Sequence, residues 1–311
     1  MTLMVVLVCA NFVSCSNDDE NIPVISDEFI DVPLQIKTNF SVDITDEPIN
    51  RSTAEQPVYA IDVLEINPNT SQTSSYAFGF FKSIGNLSIK LNKYKKYVIK
   101  AALYYNYFDK NQFYSTDTKT YTYYKTYTDN FIYISEGFFY GIDAWHMPNT
   151  EYSTNEFIEG DGFYGINQEF SPSTNQTCSI DLERISSAVE VIIEGLTEGS
   201  AKCVLNSPYQ GSELEYQITT SAATLSKKFT YRHLISSEKA NVRLFVTYVP
   251  TEGDNIELIS DSYEFSRGMR KRFLIKLEKK ESEDTSVGFK LTLAESEFVD
   301  EEQSIHNCVI E

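Results

Sequence analysis

The side chains able to do chemistry are few and scattered. Five cysteines, at positions 9, 15, 178, 203 and 308, include no CxxC pair, and His146, His233 and His306 lie far apart, so no metal site is expected. Glu159 and Asp161 are carboxylates of the type that act as acid and nucleophile in glycoside hydrolysis. In an acidic chain such a pair reads instead as solvated loop surface. Gly160, Gly162 and Gly165 do not follow a strand and open a helix, which a dinucleotide-binding loop requires, and they read as turn glycines. Arg270-Lys271-Arg272 is too short against the overall charge for nucleic acid and fits a basic guard on a sheet edge. Cys178 and Cys203 could pair in an oxidising compartment, although a hairpin between their strands would not set them opposite each other, and they are left unassigned. No enzyme activity and no cofactor are expected.

The elements that would carry these residues follow from composition and periodicity. With 311 residues, two domains are a better expectation than one. The 21 Tyr and 20 Phe against 4 Met favour an all-β chain, because aromatic rings pack well on pleated faces. A formal charge of -19 repels nucleic acid and anionic headgroups alike, which excludes both as partners.

Asp31 to Asp43 alternates, with Val32, Leu34, Ile36, Phe40 and Val42 on one face, and predicts a half-buried strand. A polar segment around Pro48 and Arg51 forms a loop before a second strand at Val58 to Ile66. Further strands are expected at Tyr76 to Phe81, Leu87 to Leu91 and Tyr97 to Tyr105. Ten tyrosines fall between Tyr104 and Tyr140, where Tyr121 to Tyr127 reads as a hairpin or strand within an insertion. A loop-like stretch, Pro148 to Pro172, precedes a second series of strands, near Cys178 to Glu194, Lys202 to Leu205, Leu214 to Thr219, Leu225 to Tyr231, Val242 to Val249, Ile256 to Phe265 and Arg272 to Glu278. Val287, Phe289, Leu291 and Leu293 mark one more alternating strand before an acidic tail.

At the N-terminus, Met4 to Phe12 is apolar but too short to span a bilayer, and an abrupt polar stretch follows. Phe12-Val13-Ser14-Cys15 resembles the lipobox of bacterial lipoproteins, and Ser16-Asn17-Asp18-Asp19-Glu20 resembles the acidic export tag of surface lipoproteins in Bacteroidota. The resemblance implies a signal peptide over 1–14, lipidation of Cys15 and tethering to the outer membrane at the cell surface. Each buried CH₂ of an acyl chain adds about 0.8 kcal/mol, so two or three chains make a lasting anchor. No Lys or Arg occurs before Lys37, a departure from the usual basic start of a signal.

Cys178-Ser179-Ile180-Asp181-Leu182-Glu183-Arg184 followed by Ala188-Val189 resembles the opening of the C-terminal domain in the fimbrillins of Bacteroidota, and Asn155-Glu156-Phe157 with Gly162-Phe163-Tyr164 resembles their lead-in. The resemblance covers most of Asp31 to Glu278, and the Tyr-rich stretch has no counterpart in it. It implies an all-β fold of two transthyretin-like β-sandwich domains in tandem. Their expected limits are an acidic linker over 15–30, an N-terminal domain over 31–172, a C-terminal domain over 173–280 and an extra strand with acidic tail over 281–311. It further implies a fimbrial subunit that assembles with itself or with other subunits by β-strand donation after proteolysis at Arg51, and that meets a surface receptor in adhesion. An ordinary loop arginine is the competing reading of Arg51. The strand at Val287 to Leu293 is either the donated element or the closing edge of the second domain. The alternative function is glycan binding, with Trp145 and the tyrosine cluster as stacking platforms.

Overall fold

The computed structural model of the chain describes residues 28–38, 56–117, 120–144, 155–209, 212–279, 287–297 and 308–310, and strand dominates among them. Five strands open the fold: β1 (Phe29–Thr38), β2 (Pro57–Ile66), β3 (Thr73–Phe81), β4 (Ser88–Asn92) and β5 (Lys96–Tyr105). They sit close to where the sequence places them, and the expected continuation of the first strand to Asp43 lies outside the described residues.

The Tyr-rich stretch follows as one helical turn, α1 (Tyr107–Lys110), and short strands β6 (Phe113–Thr116), β7 (Tyr121–Tyr124), β8 (Ile132–Tyr133) and β9 (Phe138–Phe139). Its role is to cover a sheet. β6 pairs with β7 and β9, β8 adds to β3, and rings from this segment stack on the outward residues of β3. Phe139 lies 4.3 Å from Phe78, and Phe113 lies 4.1 Å from Phe80 and 4.3 Å from Tyr107, all near parallel. Such ring pairs contribute about 0.5–1.5 kcal/mol each beyond the area they bury. The central strands β2, β3 and β5 are therefore dry on both faces along part of their length, which accounts for the unbroken burial of residues 60–63, 77–81 and 101–104.

Next come β10 (Phe157–Glu159), β11 (Gly162–Phe170) and β12 (Cys178–Arg184), then β13 (Ser186–Glu194), β14 (Ser200–Asn206), β15 (Glu213–Thr219), β16 (Thr224–Tyr231), β17 (Lys239–Val249), β18 (Ile256–Ser266) and β19 (Met269–Lys279). β20 (Val287–Glu297) lies antiparallel along the whole of β19, and β21 (Cys308–Ile310) pairs with β20.

The pairings reveal one topology used twice. β1 is antiparallel to β4 and parallel to β12, while β2 lies between β3 and β5, and β5 joins β11. In the same chain order, β13 is antiparallel to β16 and parallel to β19, while β14 lies between β15 and β17, and β17 joins β18. The first set is one continuous sheet closed through a β11–β12 pairing and folded over its core, the second is two separate sheets over theirs, and the all-β expectation of two sandwiches in tandem holds. One core, containing Val32, Leu34, Ile61, Ile99, Phe163 and Ile180, fills the first sandwich. The other fills the second sandwich and continues under the tyrosine cover to the outer face of β2, β3 and β5.

The changeover between sandwiches differs from the expected boundary after residue 172. β12 belongs to the first sheet and β10 to the second, so the chain passes finally from one to the other at Ile185. The stretch read as loop-like, 148–172, holds two strands, β10 and β11. Its glycines hid them. A Cβ at Gly162 would lie 2.3 Å from Thr230 Oγ1, and one at Gly165 would lie 2.2 Å from the carbonyl oxygen of Asp181. These are close approaches between strands, whereas Gly160, with φ +109°, is the turn glycine that all three were taken to be.

Polar side chains pin the joint. The Arg184 guanidinium lies 3.1 Å from Asp161 Oδ2 and rests over the ring of Phe163, and Ser186 Oγ donates to the other oxygen of Asp161. Arg267 pairs with Glu183 at 2.9 Å and donates to the carbonyls of Leu234 and Ile235. Arg184 is thus a residue of the joint.

Candidate strand-exchange site

β1 is seated in an unusual way. Its first five residues, Phe29 to Pro33, pair with β4, and its last five, Leu34 to Thr38, pair with β12. Pro33, which has no N–H to offer, stands at the handover, where the missing donor costs least. Val32 and Leu34 are buried against Ile89 and Leu91 of β4 and Cys178, Ile180 and Leu182 of β12, while Asp31, Pro33, Gln35 and Lys37 face water. Burial of the two aliphatic side chains contributes about 1.5–3 kcal/mol each. At the rim, the Leu34 amide donates to the carbonyl of Leu87 at 2.9 Å, Glu28 pairs with Lys93, and Ser179 Oγ donates to Gln35 Oε1 at 3.3 Å.

The groove floor contains Cys178, opposite Leu34 in the parallel register. Burial pushes its thiol up to about 11, against a donated contact from Asn167 Nδ2 at 3.8 Å. Cys203 is buried in the other core, where burial pushes its thiol up to about 12. Both thiols are free, and their different cores settle the pairing left unassigned from sequence.

Backbone ladders and two pocketed side chains seat β1, and these are contacts that any strand of like alternation could make. Lifting β1 out would uncover the edge of β4, which accepts an antiparallel strand, and the edge of β12, which accepts a parallel one. One incoming strand running in the direction of β1 meets both.

The residues singled out from sequence, Cys15, Arg51 and Trp145, lie outside the described residues. Position alone relates Arg51 to the site, because it falls among the 18 residues, 39–56, that connect β1 to β2. Glu159 and Asp161 are both committed to cations, Glu159 to Lys227 at 3.2 Å and Asp161 to Arg184. Arg270-Lys271-Arg272 lies on an interior strand flanked by β13 and β20 and not on an edge; Arg272 pairs with Glu190. A Ser, His and acid grouping does occur at Ser207, His233 and Glu156. Its carboxylate takes both partners, with Ser207 Oγ on one oxygen and His233 Nε2 3.3 Å from the other, an arrangement that ties β10 to the second sandwich and does not aim the imidazole at the serine.

Two further features lie on either side of the Tyr-rich cover, the first formed by the tyrosine cluster that the sequence offered as stacking platforms and the second without a counterpart there. The outward face of the β7-β6-β9 sheet carries Tyr114 stacked with Tyr140 at 4.2 Å, Tyr123 at 5.3 Å and Tyr121 at 5.5 Å, with Tyr121, Phe138 and Tyr140 exposed. On the opposite side of that cover, Asp62 of β2 is 1 % exposed, and neither carboxylate oxygen accepts a hydrogen bond. Burial first, and the nearby Asp143 after it, raise its pKa to about 7 against the opposing pull of Lys100. The signal was present, since Asp62 interrupts the apolar run Val58 to Leu64.

No family model and no curated protein matches the chain. Among solved structures it is similar to a protein described as an adhesin from Bacteroides ovatus, at 11% identity and TM-score 0.45, covering 91% of this chain and 95% of that one. A fimbrial assembly protein from Parabacteroides distasonis is similar at 15% identity and TM-score 0.38, over 91% and 99% of the two chains. A protein of Bacteroides thetaiotaomicron described as polysaccharide-binding is similar at 12% identity and TM-score 0.41, over 87% and 98%.

Proposed function

We propose that the chain is a cell-surface subunit of fimbrial type, which assembles with copies of itself or with other subunits by exchanging β1 for a partner's strand and works without catalysis. The observation that carries this reading is the seat of β1, held along each half by a single ladder and joined onward only through residues 39–56. Lipid anchoring through Cys15 would keep the subunit at the outer membrane until a cut at Arg51 separates the anchor and β1 from the body. The antiparallel pairing of β20 along β19 supports its reading as the strand that closes the second sandwich, which would leave the seat of β1 to a strand from another molecule. The exposed tyrosine face favours glycan contact as the second role.

Limited trypsin treatment of the unlipidated chain, with mass spectrometry and sizing of the products, tests the proposal. A single early cut after Arg51 followed by ladders of oligomers, suppressed by excess peptide spanning residues 29–38, is expected. A resistant Arg51, or a cut chain that stays monomeric, would overturn strand exchange and leave the tyrosine face, tested on a glycan panel, as the remaining role.

A further inference from the structure

Under the tyrosine cover, three side chains meet that belong neither to the β1 seat nor to the joint. Asp62 of β2 stands directly across from Lys100 of β5, and Lys100 Nζ lies 3.9 Å from Asp62 Oδ2. The same nitrogen donates to Asp143 Oδ2 at 3.4 Å. Asp143 arrives on the turn after β9, where Gly141 takes φ +88°; a Cβ there would lie 2.6 Å from Asp143 Oδ1 and 3.5 Å from Asp62 Oδ2. That turn is held down by Tyr104, whose hydroxyl donates to the carbonyl of Ile142 at 3.2 Å. The three groups therefore differ sharply in access to water: the side chain of Asp62 is 1 % exposed, that of Lys100 18 % and that of Asp143 34 %.

We propose that Lys100 and Asp62 join in an intramolecular isopeptide bond, the Lys100 amine attacking the carboxyl carbon of Asp62 while Asp143 takes the proton from the nitrogen. The chemistry assigns each role separately. An amine attacks only when neutral, and Lys100 already points a proton at Asp143. A carboxyl is open to attack when it is protonated, and burial holds Asp62 in that form up to about pH 7. Asp62 also has no hydrogen bond that the reaction must break. The register of β2 and β5 fixes the two reacting groups opposite each other, which replaces a bimolecular encounter by a local approach.

The balance is that of amide formation. A bond forms between Nζ and Cγ, one C–O bond of Asp62 breaks, and its oxygen leaves as water carrying the acid proton and one from the nitrogen. The remaining ammonium proton passes through Asp143 to solvent, to which that side chain is open. No oxidant, reductant or activating group takes part. The product replaces a buried acid lacking hydrogen bonds with a neutral amide whose N–H faces Asp143, so burial favours it.

Intact-mass measurement of the purified, folded chain held at neutral pH tests the bond. The expected result is a loss of about 18 Da, one water, with tryptic mapping that finds a branched peptide joining residues 62 and 100. A succinimide would lose the same mass and give no branch. Lys100→Arg and Asp62→Ala are expected to keep the full mass, and Asp143→Asn to slow the loss at least tenfold. Wild-type protein that stays at full mass, with both residues in separate linear peptides after prolonged incubation, would overturn the proposal. So would a water loss that persists in Lys100→Arg. The outcome is independent of strand exchange, since neither β1 nor Arg51 takes part.

Discussion

The two sandwiches share a strand order yet hold their first strands very differently. β13 is flanked on both sides, by β16 and by β19, over residues 188–192, and Val189, Val191 and Ile193 are fully buried. β1 has one paired neighbour along each half and two buried side chains. The connections differ in the same sense. Five residues join β13 to β14, beginning and ending in Gly195 and Gly199, whose φ values of +82° and +67° and close backbone neighbours admit no side chain without strain. The matching connection after β1 is more than three times as long. One topology thus carries a first strand paired along both edges and a first strand paired along one edge in each half.

Equal truncations in the two strands probe this difference most strongly. Ile193→Ala is expected to cost about 2–5 kcal/mol whether or not the chain is cut, read by urea denaturation. Leu34→Ala should cost a similar amount in the uncut chain, but after cleavage between β1 and β2 the loss should reappear as at least about 30-fold weaker retention of the β1 fragment on sizing. If both variants responded to the cut in the same way, the contrast would collapse. A smaller effect is expected at the joint. Arg184→Met removes a charged hydrogen bond to Asp161 at a cost of about 1.5–3 kcal/mol. It should also split unfolding into two transitions by freeing the sandwiches from each other; one unbroken transition would show that the shared core alone couples them. The mildest probe leaves the sequence unchanged. At pH 8 a thiol reagent should spare Cys178 and Cys203 in the uncut protein, because burial raises both thiols. After release of β1 it should modify Cys178 and still spare Cys203, as peptide mapping would show; labelling of both would mean that the second sandwich opens as well.

Much of this arrangement is legible in the sequence, for a physical reason. A strand buried on one face must alternate, and β1, β4, β14 and β15 do so. The changeover at Ile185 was also written there, although Cys178 to Glu194 read as one strand. Cys178, Ile180 and Leu182 point into the first core at even positions, while Val189, Val191 and Ile193 point into the second at odd ones. A buried face that changes parity marks a strand changing sheets. β11 escaped notice because strands that approach closely require glycine, and Gly162 and Gly165 look like turn signals when their neighbours are unknown. The tyrosine cover was legible as strand but not as a lid, since it meets the face it covers at unequal separations in the chain, as Phe113 does on Phe80 and Phe139 on Phe78, in no simple period. Asp62 was visible as a break in an apolar run, whereas its partner Asp143 comes from a turn that only the folded chain brings near.

The unbroken passage from β12 into β13 has a mechanical consequence. A partner's strand seated along β12 in place of β1 would pull on the same backbone that becomes the central strand of the second sandwich, with a single residue between. Tension would pass from one fold unit to the next without crossing a slack loop. Parallel ladders at both ends, to the seated strand at β12 and to β19 at β13, would bear it lengthwise, so that several hydrogen bonds must fail together where an unzipping geometry would lose them one at a time.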